Sequence, residues 1–215
     1  KRDVIYFEAG NPPEKSYSTC YQSGPLSFEY FCDDHKIITN SGFGVNISNK
    51  ARLLSRLTSS QSTLCLNDTS IVGFEKNNIM NKAYGFLIKR NFKILNLEHK
   101  NDSNENRISA GHDAYLKKFG CIHNRTISLD KIKNKVVGQD KLSLKNKNLK
   151  IKYDIRFHLY PGLTAVETIG MFERSNLKQE QGDENWLEFF RLMSELMAID
   201  EGTLQVESEQ KHNLR

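Results

Sequence analysis

An antiparallel β-sandwich followed by a single C-terminal helix is the fold class this 215-residue sequence predicts. Three observations predict it. Short runs of alternating apolar and polar residues, rich in β-branched and aromatic side chains, fill the first two thirds of the chain. Clusters of Gly, Pro, Asn and Asp separate them at roughly 8–12-residue spacing. Near the end the apolar period changes from two to that of a helix.

The strands follow in order. VIYFEA, LSFEYF, HKIITN and STLCLN come first, divided by the turn clusters GNPPEKS, CDD, NSGFG and NDTS. AYGFLIKR, FKILNLEH, RTISLD, KVVGQDKLSL and LKIKYDIRFHLY continue the pattern. TISLDKIKNKVVGQDKL is read as a hairpin across a Lys/Asn turn, with Gly138 as a candidate bulge. One short helix is expected in SNKARLLSRLTSS, where Leu53, Leu54 and Leu57 share a face. In DENWLEFFRLMSELMAIDEG, apolar residues at 186, 189, 190, 193, 196 and 197 form a helical stripe. Asp183 suits its N-cap and Gly202 its stop, which predicts a helix over about 183–200. The domain reading is therefore a sandwich over 1–170 and a divergent acidic tail over 171–215 that contains this helix.

Composition narrows the function. Mean hydropathy is −0.59, and no apolar run approaches the ~18 residues of a membrane-spanning helix. The net charge of +5 is uneven: residues 179–215 hold nine acids and three bases, so the tail carries −6 and the rest +11. Much of the positive charge lies in the Lys-rich hairpin, where lysines alternate with apolar residues as on a solvated strand face. Without aromatic residues interleaved on one face, a nucleic-acid partner is not expected. Cys20, Cys32, Cys65 and Cys121 have no CxxC spacing, which excludes the common zinc ribbons. Buried free thiols are expected at Cys32 and Cys65, with one disulfide left open. P-loop, GxGxxG, HExxH, GxSxG and EF-hand signatures are all missing.

Three blocks, in this order and spacing, resemble the heparinase II/III-like family. They are EAGNPP with GPLSFEY; TNSGFG with the Arg52–Arg56 segment and TSSQSTLCLND; and AGHDAYLKKFGCIHNRTISLD with VVGQDKLSL and IRFHLYPGLTA. The resemblance covers roughly residues 1–168 and implies that family's C-terminal β-sandwich, with an α/α-toroid domain upstream and polysaccharide bound between the two. The implied chemistry is β-elimination: a base takes the C5 proton of a uronate and an acid protonates the leaving glycosidic oxygen. Past Thr168 the strands that complete the family sandwich are not evident.

The resemblance also assigns residues. Gln22 and Gln61 stand where the family has histidines, and Asn40 where it often has an acid or Asn. With amides at all three, a zinc site of His and carboxylate is not expected, and no other cofactor is implied. Amides can hydrogen-bond sugar hydroxyls but cannot shuttle a proton near neutral pH. His112 and Tyr115, in GHDAY, match the family's HDGY and are the catalytic candidates; the competing reading has Asp113 fixing the turn and Tyr115 packing. His123 and Arg125 share one strand face, suited to gripping an anionic sugar and equally to a solvated face. His158 is retained, whereas the family's next histidine reads Tyr160. His35 is expected to be exposed.

The functional expectation is the C-terminal domain of a polysaccharide lyase acting on an acidic, uronate-containing polysaccharide, inactive without its upstream toroid. A bacterial periplasmic or cell-envelope location follows from the resemblance. The alternative is a non-catalytic carbohydrate-binding or envelope module on the same fold. Gln22, Asn40, Gln61, His123 and Arg125 are the expected substrate contacts.

Overall fold

A computed structural model describes residues 3–75, 86–133, 135–145, 151–166, 184–193 and 203–205. Two antiparallel sheets dominate it. The first comprises β1 (Asp3–Phe7), β2 (Phe28–Cys32), β3 (His35–Thr39) and β10 (His158–Leu159), in that spatial order. The second comprises β5 (Ile94–Asn101), β6 (Glu105–His112), β7 (Cys121–Asp130), β8 (Lys135–Leu144) and β12 (Glu184–Met193), ordered β12-β8-β7-β6-β5. A small ladder joins β4 (Leu64–Leu66) to β9 (Tyr153–Ile155). Another pairs β11 (Thr164–Val166) in parallel with β13 (Thr203–Gln205).

The alternation seen in the sequence sets the sandwich. Phe28, Tyr30 and Cys32 on β2 are buried while Glu29 and Phe31 between them are not fully covered. With Ile37 and Ile38 of β3 they pack on Ile127 and Val136 of the second sheet. Each such side chain removed from water contributes about 1.5–3 kcal/mol. A second cluster, including Leu64, Leu66, Ile71, Val72, Tyr115, Cys121 and Leu142, lies under β4 and its flanking loops.

The short helix forms as α1 (Asn49–Leu54), capped by the Ser48 hydroxyl accepting from the Ala51 N–H at 3.0 Å. A second, α2 (Leu116–Phe119), is one turn that ends on Gly120 in the left-handed region (φ 60°). The strand ENRISAGH, β6, is additional to those expected. Of AYGFLIKR, residues 86–90 form no extended strand, only a bridge from Ile88 to Phe74. Cys32, Cys65 and Cys121 are buried, Cys20 is exposed, and all four are free thiols.

The C-terminal helix is corrected. Glu184–Met193 is strand β12, hydrogen-bonded antiparallel to β8 from Glu184↔Ser143 to Met193↔Lys135; residues 194–200 lie outside the described residues. The physical reason is the edge. Without β12, every second residue of β8 would present an unpaired N–H and C=O on the side away from β7, and pairing with that edge overrides a helical period in the sequence. Gly138 is also corrected as a bulge: β8 stays in continuous register with β7 through Ile127↔Gly138. The irregularity sits opposite it, between Glu188 and Phe190 of β12.

Candidate functional site

Gln22, Asn40 and Gln61, far apart in sequence, meet in one groove of about 230 Å³. It lies at an end of the first sheet, where β1 ends at Phe7 and leads into Glu8, Ser27 and Glu29 flank the first residue of β2, and Asn40 follows the last residue of β3. Tyr6 and Gly24 complete the lining. The three positions differ in what they offer. Gln61 is only 1% exposed, and its Nε2 donates to the Ser55 carbonyl at the end of α1 (2.8 Å). Asn40 is tied at both ends: Oδ1 accepts from the Ser62 N–H (2.8 Å) and Nδ2 donates to Ser27 Oγ (3.4 Å). Gln22 is half-buried on a loop that Arg56 organises.

Arg56 is fully buried, and its guanidinium donates to the carbonyls of Ser18, Tyr21 and Phe86 over the face of Phe74. Burial, then the neighbouring Arg52, lowers its pKa to about 10. The Arg56 carbonyl in turn accepts from the Ser23 N–H (2.9 Å). Gly24 is required by close approach: a Cβ there would lie 2.8 Å from Gln61 Cγ.

The groove carries two carboxylates that the sequence reading missed. Glu29 Oε2 pairs with Lys36 at 2.8 Å, while Oε1 accepts from the Asn40 N–H (3.2 Å) and Thr39 Oγ1 (3.3 Å). Glu8 Oε1 accepts from the Gly10 N–H (3.2 Å). Both lie in the motif blocks EAGNPP and GPLSFEY. The legible signal for Glu29 is its place between the buried Phe28 and Tyr30, which turns it to the outer face.

The remaining candidates do not reach this groove. His112, His123 and Arg125 are 0% exposed and Tyr115 is 1% exposed. This corrects both their expected role as groups facing a substrate and the solvated-face reading of His123 and Arg125. The period-two face that carries Cys121, His123, Arg125 and Ile127 is the inner one. Arg125 can be buried because Asp140, its cross-strand partner on β8, meets it with both oxygens (Nε–Oδ1 and Nη2–Oδ2, each 2.9 Å). Its Nη1 donates to the carbonyls of Leu26 and Ser62, each 2.9 Å away. Asp140 was legible too, as an acid on the buried face Val136, Gly138, Asp140, Leu142 of β8.

The two histidines complete a directional chain. The Ala114 N–H donates to His112 Nδ1 (3.3 Å), which puts the proton of a neutral ring on Nε2. That Nε2–H donates to His123 Nδ1 (3.1 Å), and His123 Nε2–H donates to Asp140 Oδ1 (2.5 Å). Burial, reinforced by His123 and Arg125, holds the His112 pKa well below its usual value. Burial also lowers His123, against the opposing pull of Asp140. Burial alone would raise Asp140, but Arg125 and His123 outweigh it and hold the carboxyl down. The network is thus one buried ion pair with neutral imidazoles, a satisfied structural unit rather than a proton-transfer site open to ligand.

Tyr115 is likewise structural: its hydroxyl donates to the Leu64 carbonyl (3.1 Å) and accepts from the Leu66 N–H (3.3 Å). Burial raises its pKa well above the usual value. Asp113 fixes the turn by accepting from the Lys93 N–H (2.7 Å). His35 is exposed. His158 is half-buried, with its backbone N–H donating to Ser62 Oγ (2.9 Å). Among the described residues no group of three His, Cys, Asp or Glu side chains is placed to hold a metal ion. None of their helices is long and apolar enough to cross a membrane, which says nothing of a β-barrel.

Comparison with solved structures finds two crystal structures of the heparan sulfate lyase HepC from Pedobacter heparinus. One has a TM-score of 0.55 at 17% identity over 74% of this chain. A mutant form has a TM-score of 0.49 at 18% identity over 67% of this chain. At these identities the first likeness shows the fold, and this chain spans only about a fifth of the HepC chains, 21% and 19%. Comparison with curated protein sequences gives no match. The sequence model described as "Heparinase II/III-like, C-terminal" matches residues 2–213, across the sandwich and through the acidic tail. The chain therefore belongs to the heparinase II/III-like family, through the C-terminal domain of that family.

Proposed function

We propose that this chain is the sandwich half of a polysaccharide lyase that acts on a uronate-containing polysaccharide by β-elimination. The base and acid come from an α/α-toroid domain upstream, and the sandwich alone binds without cleaving. The observation that carries this reading is the convergence of Gln22, Asn40 and Gln61 on one groove. Amides and hydroxyls there can orient sugar hydroxyls as donors and acceptors. They cannot take the C5 proton or return one to the leaving oxygen. Glu29 is already engaged by Lys36, Thr39 and the Asn40 N–H, so its part is to orient. By family resemblance the setting is the periplasm or cell envelope.

A second reading, a non-catalytic carbohydrate-binding module, is favoured by the same amides. Two measurements on the 215-residue chain separate them. Binding of heparan sulfate oligosaccharides by calorimetry, with no ultraviolet absorbance from unsaturated chain ends, is expected of the isolated chain under both. The mass of the native gene product then divides the two. A product much larger than 24.8 kDa supports a lyase with an upstream domain, and one near that mass supports the module. Failure to bind any uronate-containing polymer would overturn both readings.

A further inference from the structure

The outer face of the second sheet holds a hollow of about 150 Å³ that shares no residue with the amide groove. It spans β5 to β8. Residues directly opposite one another on an antiparallel ladder point to the same side. Ser109 of β6, Thr126 of β7 and Gln139 of β8 stand in one such row, and Gly111, Asn124 and Lys141 in the next. His123 and Arg125, which alternate with Asn124 and Thr126 along β7, are the buried side, so both rows face outward. The backbone shapes the hollow at two points. Between Leu95↔Gly111 and Glu98↔Ser109, β5 places Asn96 and Leu97 against Ala110 alone, which is a bulge. Asn96 there takes the left-handed region (φ 48°), which Asn tolerates better than most residues, and with Glu98 it lines the β5 side. On β6, Gly111 is required by close approach, since a Cβ would collide with Asn124 Oδ1.

The side chains in this hollow are not committed to the protein. Ser109, Asn124, Thr126 and Gln139 are each partly sheltered, yet among the described residues none of these four side chains has a hydrogen-bond partner. Elsewhere the fold uses such groups: Asn11, Asn40 and Asn67 each accept a backbone N–H, from Ile94, Ser62 and Lys152. Two carboxamides and two hydroxyls, each both donor and acceptor, match the hydroxyls of a sugar, which are also both. Their Cβ atoms lie about 5 Å apart across a row and about 7 Å apart along a strand. That is a patch on the scale of one sugar ring, with the Glu98 carboxylate beside it as a further acceptor for a hydroxyl proton.

We propose that Ser109, Asn124, Thr126 and Gln139 form a second carbohydrate site, on the outer face of the second sheet, that takes a sugar ring of the polysaccharide through its hydroxyls. This rests on the polysaccharide-binding reading above. The test follows backbone amide resonances of the full 215-residue chain, labelled with nitrogen-15, during titration with two probes. These are a heparan sulfate tetrasaccharide and an N-acetylglucosamine tetramer. The comparison protein carries Asn124→Ala and Gln139→Ala together, with thermal unfolding as the check on folding. Both probes are expected to move the amides of Ser109, Asn124 and Gln139 saturably in the wild type. Losing two neutral hydrogen bonds is expected to weaken that response by about fivefold or more, while the response at Gln22 and Asn40 in the groove is retained. If the probes move the groove amides and leave the outer face unmoved to saturation, the second site is refuted while the function stands. An outer-face response undiminished in the double variant would refute the assigned side chains. A response to the sulfated probe alone would overturn recognition through hydroxyls. If neither probe moves either set of amides, the proposed function itself fails and the second site with it.

Discussion

Replacing Asp140 by Asn is the sharpest perturbation of this fold. Asp140 and Arg125 are both fully enclosed, joined by two 2.9 Å contacts, and the His123 proton is directed at the same carboxylate. Asparagine keeps the shape but removes the charge, so the Arg125 guanidinium is left inside the sandwich without its counter-ion. Breaking a buried pair in this way costs about 3–5 kcal/mol, a large share of the roughly 5–15 kcal/mol that holds an ordinary domain together. Removing both charges, as Arg125→Met with Asp140→Leu, takes away the desolvation penalty along with the attraction. What remains is the loss of donors at the Leu26 and Ser62 carbonyls and of the acceptor for the His123 Nε2–H, about 1–3 kcal/mol each. The double variant should therefore be more stable than the sum of the two single losses implies, by about 2 kcal/mol or more. Urea unfolding at pH 7, followed by far-ultraviolet circular dichroism, measures all four corners of the cycle. A loss below about 1 kcal/mol for Asp140→Asn, or strict additivity in the double variant, would refute the claim that this pair is enclosed and mutually dependent.

Four further outcomes are expected. Because the folded-state pKa values of His112 and His123 are lowered, the unfolded chain binds protons below about pH 6.5 that the folded chain does not. The urea midpoint should therefore fall between pH 7 and pH 5, and a flat profile would contradict the neutral, buried histidines. The lowered carboxyl of Asp140 adds stability that is present above about pH 3.9 and lost as pH falls through its folded value. Ser48→Ala removes the cap of α1 and should cost about 0.5–2 kcal/mol in urea unfolding, with Ser48→Asp retaining most of it. Gly24→Ala drives a methyl against Gln61; it should weaken oligosaccharide binding severalfold by calorimetry, more than it lowers the thermal midpoint.

The sheets were legible because alternation is a direct consequence of burying one strand face. FEYFC shows it, with Phe28, Tyr30 and Cys32 buried in turn, and in CIHNRTISLD burial alternates from Cys121 to Ile127. The tail was misread for a definable reason. ENWLEFFRLM contains apolar residues at helical spacing, but a single sequence does not show that β8 has a free edge waiting for it; that is a property of the assembled sheet. Periodicity fixed the face shared by His123 and Arg125 correctly and left open whether that face was inner or outer. Cys121 and Ile127 in the same alternating positions point inward. So does Asp140, since an acid on an apolar strand face signals a buried cation opposite. The groove residues Gln22, Asn40 and Gln61 came from motif resemblance, whereas Glu8, Glu29 and Tyr6 needed the folded sheet to bring them beside those amides.

The buried network and the groove are mechanically one object. Arg125 belongs to the second sheet, yet its Nη1 holds the carbonyls of Leu26 and Ser62, the immediate chain neighbours of Ser27 and Gln61 in the groove. Leu26 is a buried, non-glycine residue in the left-handed region (φ 60°), a conformation that costs about 1–2 kcal/mol. It is held there by its N–H donating to the Glu8 carbonyl (2.8 Å) and by Arg125 on its own carbonyl. Glu8 and Ser27 are thereby set at the groove by a turn that would relax if the guanidinium were gone. Arg125, enclosed and in the third motif block, thus bears on the groove through the Leu26 and Ser62 carbonyls.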